Sequence, residues 1–163
     1  KGKDPKVCSV IGFPLGSIST EMKFAEAMLA IHQGVDELDM VINIGNLKQG
    51  NFKEISNEVS KIVTASANIV IKVIIETCLL NDKEIVKISK LIKNSGAGFV
   101  KTSTGFSHGG ATVEDIRLIR KSVGSNFGVK ASGGISSLLD LNNMINAGAN
   151  RIGTSSGVKI LNE

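Results

Sequence analysis

Glu37-Leu38-Asp39-Met40-Val41-Ile42-Asn43 reads as a strand whose two faces need different surroundings. Successive strand side chains point to opposite sides, so Leu38, Met40 and Ile42 share one face while Glu37, Asp39, Val41 and Asn43 share the other. The same division recurs downstream. Lys72, Ile74 and Glu76 lie opposite Val73 and Ile75, Lys101 shares a face with Ser103, and Lys130 with Ser132. In an open parallel sheet helices cover both faces and the strands run continuously apolar. A charged residue in the middle of four strands argues for a different arrangement. If helices cover the aliphatic faces, the charged faces share one interior. Burying three lysines with one or two carboxylates is expensive unless they compensate one another. A curled barrel wall, with a site that solvent reaches at the C-terminal ends of the strands, meets that requirement. A strand-edge charge reaching solvent would explain any one of these residues; four at equivalent positions call for a common interior.

Working outward, short apolar runs at 7–13, 37–43, 69–76, 98–103, 127–132 and 151–154 alternate with stretches of helical periodicity. Ser19 or Thr20 caps a helix reaching about Gln33. A second helix is expected from Asn46 to about Ala67, with Ile55, Val59, Ile62 and Val63 on one side. Asn81 caps a third carrying the stripe Ile85, Ile88, Leu91 and Ile92. Thr112 precedes a fourth, and Ser136 or Ser137 a fifth. Gly34, Gly96 and Gly148 follow helix ends, where glycine supplies a left-handed cap. Strand starts lie about 24 to 32 residues apart, the length of one βα unit. Six such units imply an α/β domain with a parallel sheet, and no linker or change of composition divides residues 1–163.

Composition narrows the function classes. The 163 residues are 42% apolar and 21% charged, which excludes a disordered chain. The 19 basic and 15 acidic side chains give a net charge of +4; the cations are scattered and no aromatic platform accompanies them, which disfavours nucleic-acid binding. No run of 18 apolar residues is present, so no membrane span is expected. Lys1-Gly2-Lys3-Asp4-Pro5-Lys6 has no apolar segment behind its charges and does not read as a secretory signal. Cys8 and Cys78 are too few for a disulfide framework and read as structural thiols in a reducing cytosol. No metal-ligand spacing and no dinucleotide fingerprint occur. His32 falls in the last turn of a helix and His108 in a glycine-rich loop; both read as surface histidines.

The lysines carry the chemistry. A free lysine, with a pKa of about 10.4, is almost wholly protonated at neutral pH and cannot attack a carbonyl. A second ammonium nearby, in a site partly stripped of water, disfavours the charged form. Lys101 and Lys130 on successive strands fit that purpose, and Asp39 supplies a carboxylate to move protons. Nucleophilic lysine, tuning lysine and carboxylate together describe imine catalysis of aldol cleavage or condensation; the residues leave open which lysine is the nucleophile. A phosphate site is suggested by Ser132-Gly133-Gly134 and Gly153-Thr154-Ser155-Ser156-Gly157, the loops after the last two strands, where glycines let backbone N–H groups approach an anion.

Val100-Lys101-Thr102-Ser103-Thr104-Gly105-Phe106, Val129-Lys130-Ala131-Ser132-Gly133-Gly134-Ile135, Asp36 through Asn43, Lys72-Val73-Ile74-Ile75-Glu76-Thr77 and Ile11-Gly12-Phe13-Pro14-Leu15-Gly16 together resemble the deoxyribose-phosphate aldolases, in family order and over nearly the whole chain. The resemblance implies a TIM (β/α)8 barrel and a class I aldolase without metal or other cofactor. Such an enzyme reversibly cleaves 2-deoxy-D-ribose 5-phosphate to acetaldehyde and D-glyceraldehyde 3-phosphate. It implies that Lys101 forms the Schiff base, Lys130 lowers its pKa and Asp39 takes part in the proton relay, with Lys72 secondary. It also implies phosphate contacts at Gly133, Gly134, Ser155 and Ser156, with Gly105 and Gly153 close by. The partners implied are a small phosphorylated sugar and aldehydes, with no nucleic acid and no membrane, in a cytoplasmic enzyme for which a homodimer is a candidate assembly. A family member would have two further βα units before Val7. The expectation is therefore a single barrel domain over 1–163 lacking those two units, N-terminally incomplete, with pairing to another copy or degeneration as alternatives. Ser136 stands where some family members carry a basic residue. A non-catalytic sugar-phosphate binder related to the aldolases is the alternative function, since it too would keep the phosphate loops.

Overall fold

A computed structural model describes residues 5–163; of the N-terminal hexapeptide, residues 1–4 lie outside the described part. Six strands form one parallel sheet in sequence order: β1 (Cys8–Ile11), β2 (Glu37–Val41), β3 (Val70–Ile74), β4 (Phe99–Lys101), β5 (Gly128–Ser132) and β6 (Arg151–Gly153). Among the described residues seven α-helices connect or follow them: α1 (Thr20–His32), α2 (Ile44–Lys48), α3 (Phe52–Ala65), α4 (Asp82–Asn94), α5 (Val113–Val123), α6 (Leu138–Ala147) and α7 (Gly157–Leu161). All six expected strands are present, each shorter than its apolar run.

The helix ends follow local chemistry. Ser19 rather than Thr20 caps α1, its side chain accepting from the Met22 N–H. Asn81 and Glu84 exchange side-chain-to-backbone bonds in a capping box on α4; Ser137 and Asp140 do the same on α6. The single helix expected from Asn46 to Ala67 is instead two. Gly50 takes a left-handed conformation (φ +78°), ending α2 and letting Asn51 restart the chain as α3. The periodic stripe of α3 concealed this break, because Ile55, Val59 and Ile62 all lie beyond it and are buried together.

The sheet is curled, with its aliphatic face under the helices. Leu38, Met40, Ile71, Val73, Val100, Val129 and Ala131 are buried there against Ile55, Ile88, Ile92, Ile116 and Ile119. The other face is concave. On a flat sheet β5 would lie ~14 Å from β2, three strand spacings away. Yet Lys130 Nζ of β5 is 2.9 Å from Asp39 Oδ2 of β2, and Arg151 of β6 is ion-paired with Glu37 of β2. The wall therefore bends far enough for side chains to meet across its hollow. β1 and β6 are its edges, and Val10 on β1 is partly exposed. No helix among the described residues is long and apolar enough to cross a membrane.

One buried ion pair fixes the start of the wall. Lys23 on α1 is fully buried and donates to Glu58 Oε1 of α3 at 2.7 Å and to the Val41 carbonyl at the end of β2 at 2.9 Å. Burial pushes the Lys23 ammonium down, and Glu58 only partly restores it. Replacing Lys23 with Met leaves the Glu58 carboxylate buried without its cation, so urea denaturation should show a loss of about 3–5 kcal/mol. Adding Glu58→Gln to that variant should recover part of the loss. A single variant as stable as wild type would contradict the role given to the pair.

Candidate active site

Register places the charged residues before any side chain is considered. Asp39 is paired with Lys72 across β2 and β3, and Lys101 with Lys130 across β4 and β5. Asp39 is almost wholly buried and three ammonium groups surround it: Lys72 at 2.6 Å from Oδ1, Lys101 at 2.7 Å and Lys130 at 2.9 Å from Oδ2. Lys72 is held from its other side by Glu37, at 3.0 Å, and Glu37 is in turn paired with Arg151. Four cations thus share two carboxylates inside the curl, and a fifth, the exposed Lys6, stands 3.8 Å from Glu37 Oε1.

The electrostatics separate the three lysines. Burial pushes Lys101 down, Asp39 pushes it back up and the Lys130 ammonium pushes it down again; the net direction is below the ordinary lysine value. Loss of water is the larger cause and the second ammonium a smaller one. For Lys72, burial also pushes down, yet Asp39 and Glu37 outweigh it and the ammonium is favoured. Burial pushes the Asp39 carboxyl up, but Lys101, Lys130 and Lys72 all donate to it, and it is held far below the usual carboxylate range.

Lys101 and Lys130 form one side of a cavity of about 410 Å³ at the C-terminal end of the strands. Its other side is made by Gly105, Gly133, Gly134, Gly153 and Ser155 with Thr104 and Thr154. Gly133 and Gly134 both adopt positive φ (+83° and +77°), and a Cβ on Gly133 would lie 3.0 Å from the Gly110 backbone, so a side chain there has no room. Of the residues expected at the site, Asp39 and Lys72 lie beneath the cavity rather than on its wall. Ser156 is set back, its N–H donating to the Thr154 hydroxyl. The Ser136 carbonyl accepts from Lys159 at 3.3 Å, so a cation does stand beside this loop, from another position.

Two features escaped the sequence. Cys8 does not read as a bland structural thiol in the structure: its Sγ is 3.2 Å from Lys72 Nζ and 3.4 Å from Asp39 Oδ1. Burial and Asp39 push its pKa up, so it stays a thiol at neutral pH and is a poor nucleophile. A strand position opposite Glu37, two residues before Asp39, was the available signal. The second is Glu76, a buried carboxylate at the end of β3 that binds Thr104. His108 does not line the cavity. No group of three His, Cys, Asp or Glu side chains that could hold a metal ion occurs among the described residues.

A family model described as DeoC/LacD family aldolase matches residues 4–163. The chain is 55% identical over 166 residues to a deoxyribose-phosphate aldolase of Caldanaerobacter subterraneus subsp. tengcongensis, covering 100% of this chain and 72% of that one. Among solved structures it is similar to QR15, an aldolase, with TM-score 0.94, 45% identity and coverage of 99% of this chain and 73% of that one. It is also similar to a tetrameric deoxyribose phosphate aldolase from Aeropyrum pernix, with TM-score 0.89, 39% identity and coverage of 96% and 67%.

Replacing Asp39 with Asn removes the anion that three ammonium groups share. Denaturation at neutral pH should show a loss of about 3–5 kcal/mol relative to wild type. The sign with pH follows from the direction of the Asp39 shift. Its contribution is fully present above the unfolded-state value of about 3.9 and is lost as pH falls through the lower folded-state value, so the gap between the two proteins should close in acid. A gap independent of pH would contradict this.

Proposed function

Because the chain belongs to the DeoC/LacD aldolase family, we propose that its lysine–carboxylate interior performs the aldolase reaction through an imine on Lys101. The protein is a carbon–carbon lyase of the deoxyribose-phosphate aldolase kind, reversibly cleaving 2-deoxy-D-ribose 5-phosphate to acetaldehyde and D-glyceraldehyde 3-phosphate. The observation that supports the imine is an alignment: Lys101 and Lys130 lie side by side on paired strands, both bound to Asp39, facing glycine loops across one cavity.

The steps follow from those positions. Lys101, its ammonium disfavoured by burial, gives up a proton and attacks the C1 aldehyde of the open-chain sugar. Loss of water gives a protonated imine. A base takes the proton of the C3 hydroxyl; the C3 carbonyl forms, the bond between C2 and C3 breaks, and the electron pair moves into the C1–C2 bond and onto nitrogen as an enamine. Glyceraldehyde 3-phosphate departs, C2 is protonated, and water releases acetaldehyde and regenerates the amine. The electron sink is the Lys101 nitrogen itself. Asp39, held ionised by three ammonium groups, can orient a water that relays protons, and Lys130 can donate to the carbinolamine oxygen as it leaves as water; positioned acid–base groups contribute typically about 10²–10⁴-fold. Lys72 keeps its charge and orients Asp39. Backbone N–H groups of the Gly133–Gly134 and Ser155 loops would receive the phosphate, with Gly105, Gly153 and Ser156 as neighbours.

The same reading assigns a phosphorylated sugar and aldehydes as the only partners apart from a second copy of the chain, and a cytoplasmic setting; the unbridged thiols of Cys8 and Cys78 support it. Incubation with acetaldehyde and borohydride, then peptide mapping, should place a reduced adduct on Lys101, and Lys101→Leu should abolish both adduct and cleavage in a folded protein. Lys130→Leu should move the acid limb of the rate profile to higher pH, because removing one ammonium raises the Lys101 pKa. An unmodified Lys101, or an active Lys101→Leu protein, would overturn the reading and favour a non-catalytic binder.

A further inference from the structure

Glu76 has no part in the steps above, yet the fold keeps it at two expenses. It is a buried carboxylate, 4% exposed, and it is one of two non-glycine residues with positive φ among those described (φ 54°, ψ 67°). Strand pairing does not need its side chain. The Ile75 and Thr77 N–H groups on either side already donate to the Lys101 and Thr102 carbonyls of the neighbouring segment, at 3.0 and 2.9 Å. The left-handed turn at Glu76 aims its carboxylate at Thr104. There Oε1 accepts from the Thr104 N–H at 3.2 Å and Oε2 from the Thr104 hydroxyl at 2.5 Å, and the same hydroxyl oxygen accepts from the Phe106 N–H at 3.1 Å.

Thr104, Gly105 and Phe106 therefore turn around one anchor. Gly105, itself at positive φ (+88°), lines the cavity, and its Cα lies 3.8 Å from where a Cβ on Gly133 would stand. The anchored turn is thus one rim of the glycine-loop wall; Thr104 and Phe106 line both this cavity and a neighbouring hollow shared by Glu76, Pro14, Leu15, Ile44 and Leu79. We propose that Glu76 is a positioning residue for the phosphate end of the substrate: by holding both donors of Thr104 it sets the Gly105 turn against the Gly133 loop, so that the anion-binding rim is preformed. This rests on the phosphate assignment made above.

The test separates anion binding from imine chemistry. Glu76→Gln keeps the shape, removes the charge and replaces one of the two acceptor oxygens with an NH2 group; Thr104→Val removes the hydroxyl donor. Inorganic phosphate binding, followed by calorimetry, should weaken about tenfold in either variant, charge-assisted bonds being the stronger kind. Turnover of 2-deoxyribose 5-phosphate should show this as a raised KM with kcat largely kept. The rate of acetaldehyde trapping on Lys101, which needs no phosphate, should change far less. Equal losses in phosphate affinity and trapping rate would mean that Glu76 only supports packing, and unchanged phosphate affinity would mean that it positions nothing; either result overturns the proposal. Failure of trapping in the wild-type protein would instead sink the imine reading, while the calorimetry still judges Glu76.

Discussion

One carboxylate, Asp39, holds three ammonium groups inside the curl of the sheet. Unpaired, each charge at this depth would resist burial strongly; together they can be tolerated because every lysine reaches the same anion and Lys72 has a second one in Glu37. The arrangement is unequal by design of the backbone. Register sets Lys72 level with Asp39, deep in the hollow, whereas Lys101 and Lys130 sit nearer the cavity. One lysine is over-compensated and stays charged; another is dehydrated, crowded by a like charge and inclined to lose its proton.

The fold supplies what this cluster requires. Apolar side chains on alternate strand positions bind the helices and leave the charged set facing inward. Curvature then brings β5 and β6 within reach of β2. At the strand ends the chain makes glycine-rich loops, so a cavity that begins at two lysines ends at Gly105, Gly133, Gly134 and Gly153. A sugar phosphate has the matching polarity, with an aldehyde at one end and an anion at the other.

Much of this was legible from alternation alone. Period two placed Asp39, Lys72, Lys101 and Lys130 on one face, and their pairing with glycine loops at the last two strands indicated a phosphorylated substrate. What alternation could not show was contact that depends on curvature or on helix rotation. The Arg151–Glu37 bridge joins strands that are not neighbours. Lys23 sits in the first turn of a helix, where a lysine normally reads as a solvated side chain, and only packing of α1 on α3 reveals Glu58 opposite it. Cys8 looked apolar by context because its partner charges belong to other strands. Glu76 lay on the correct face, but its left-handed backbone, which turns it toward Thr104, has no signature in residue type. The helix break at Gly50 was masked by a stripe that lies wholly on one side of it.

The account stands on Lys101 being more easily deprotonated than an ordinary lysine before any substrate arrives. Carbon NMR of the lysine ε-methylenes in the resting protein, titrated with base, reads this directly, with Lys101→Leu assigning the signal. One resonance, absent from the variant, should titrate below the ordinary value of about 10.4 while Lys72 titrates above it. A Lys101 resonance that titrates with the surface lysines, or above them, would contradict the account.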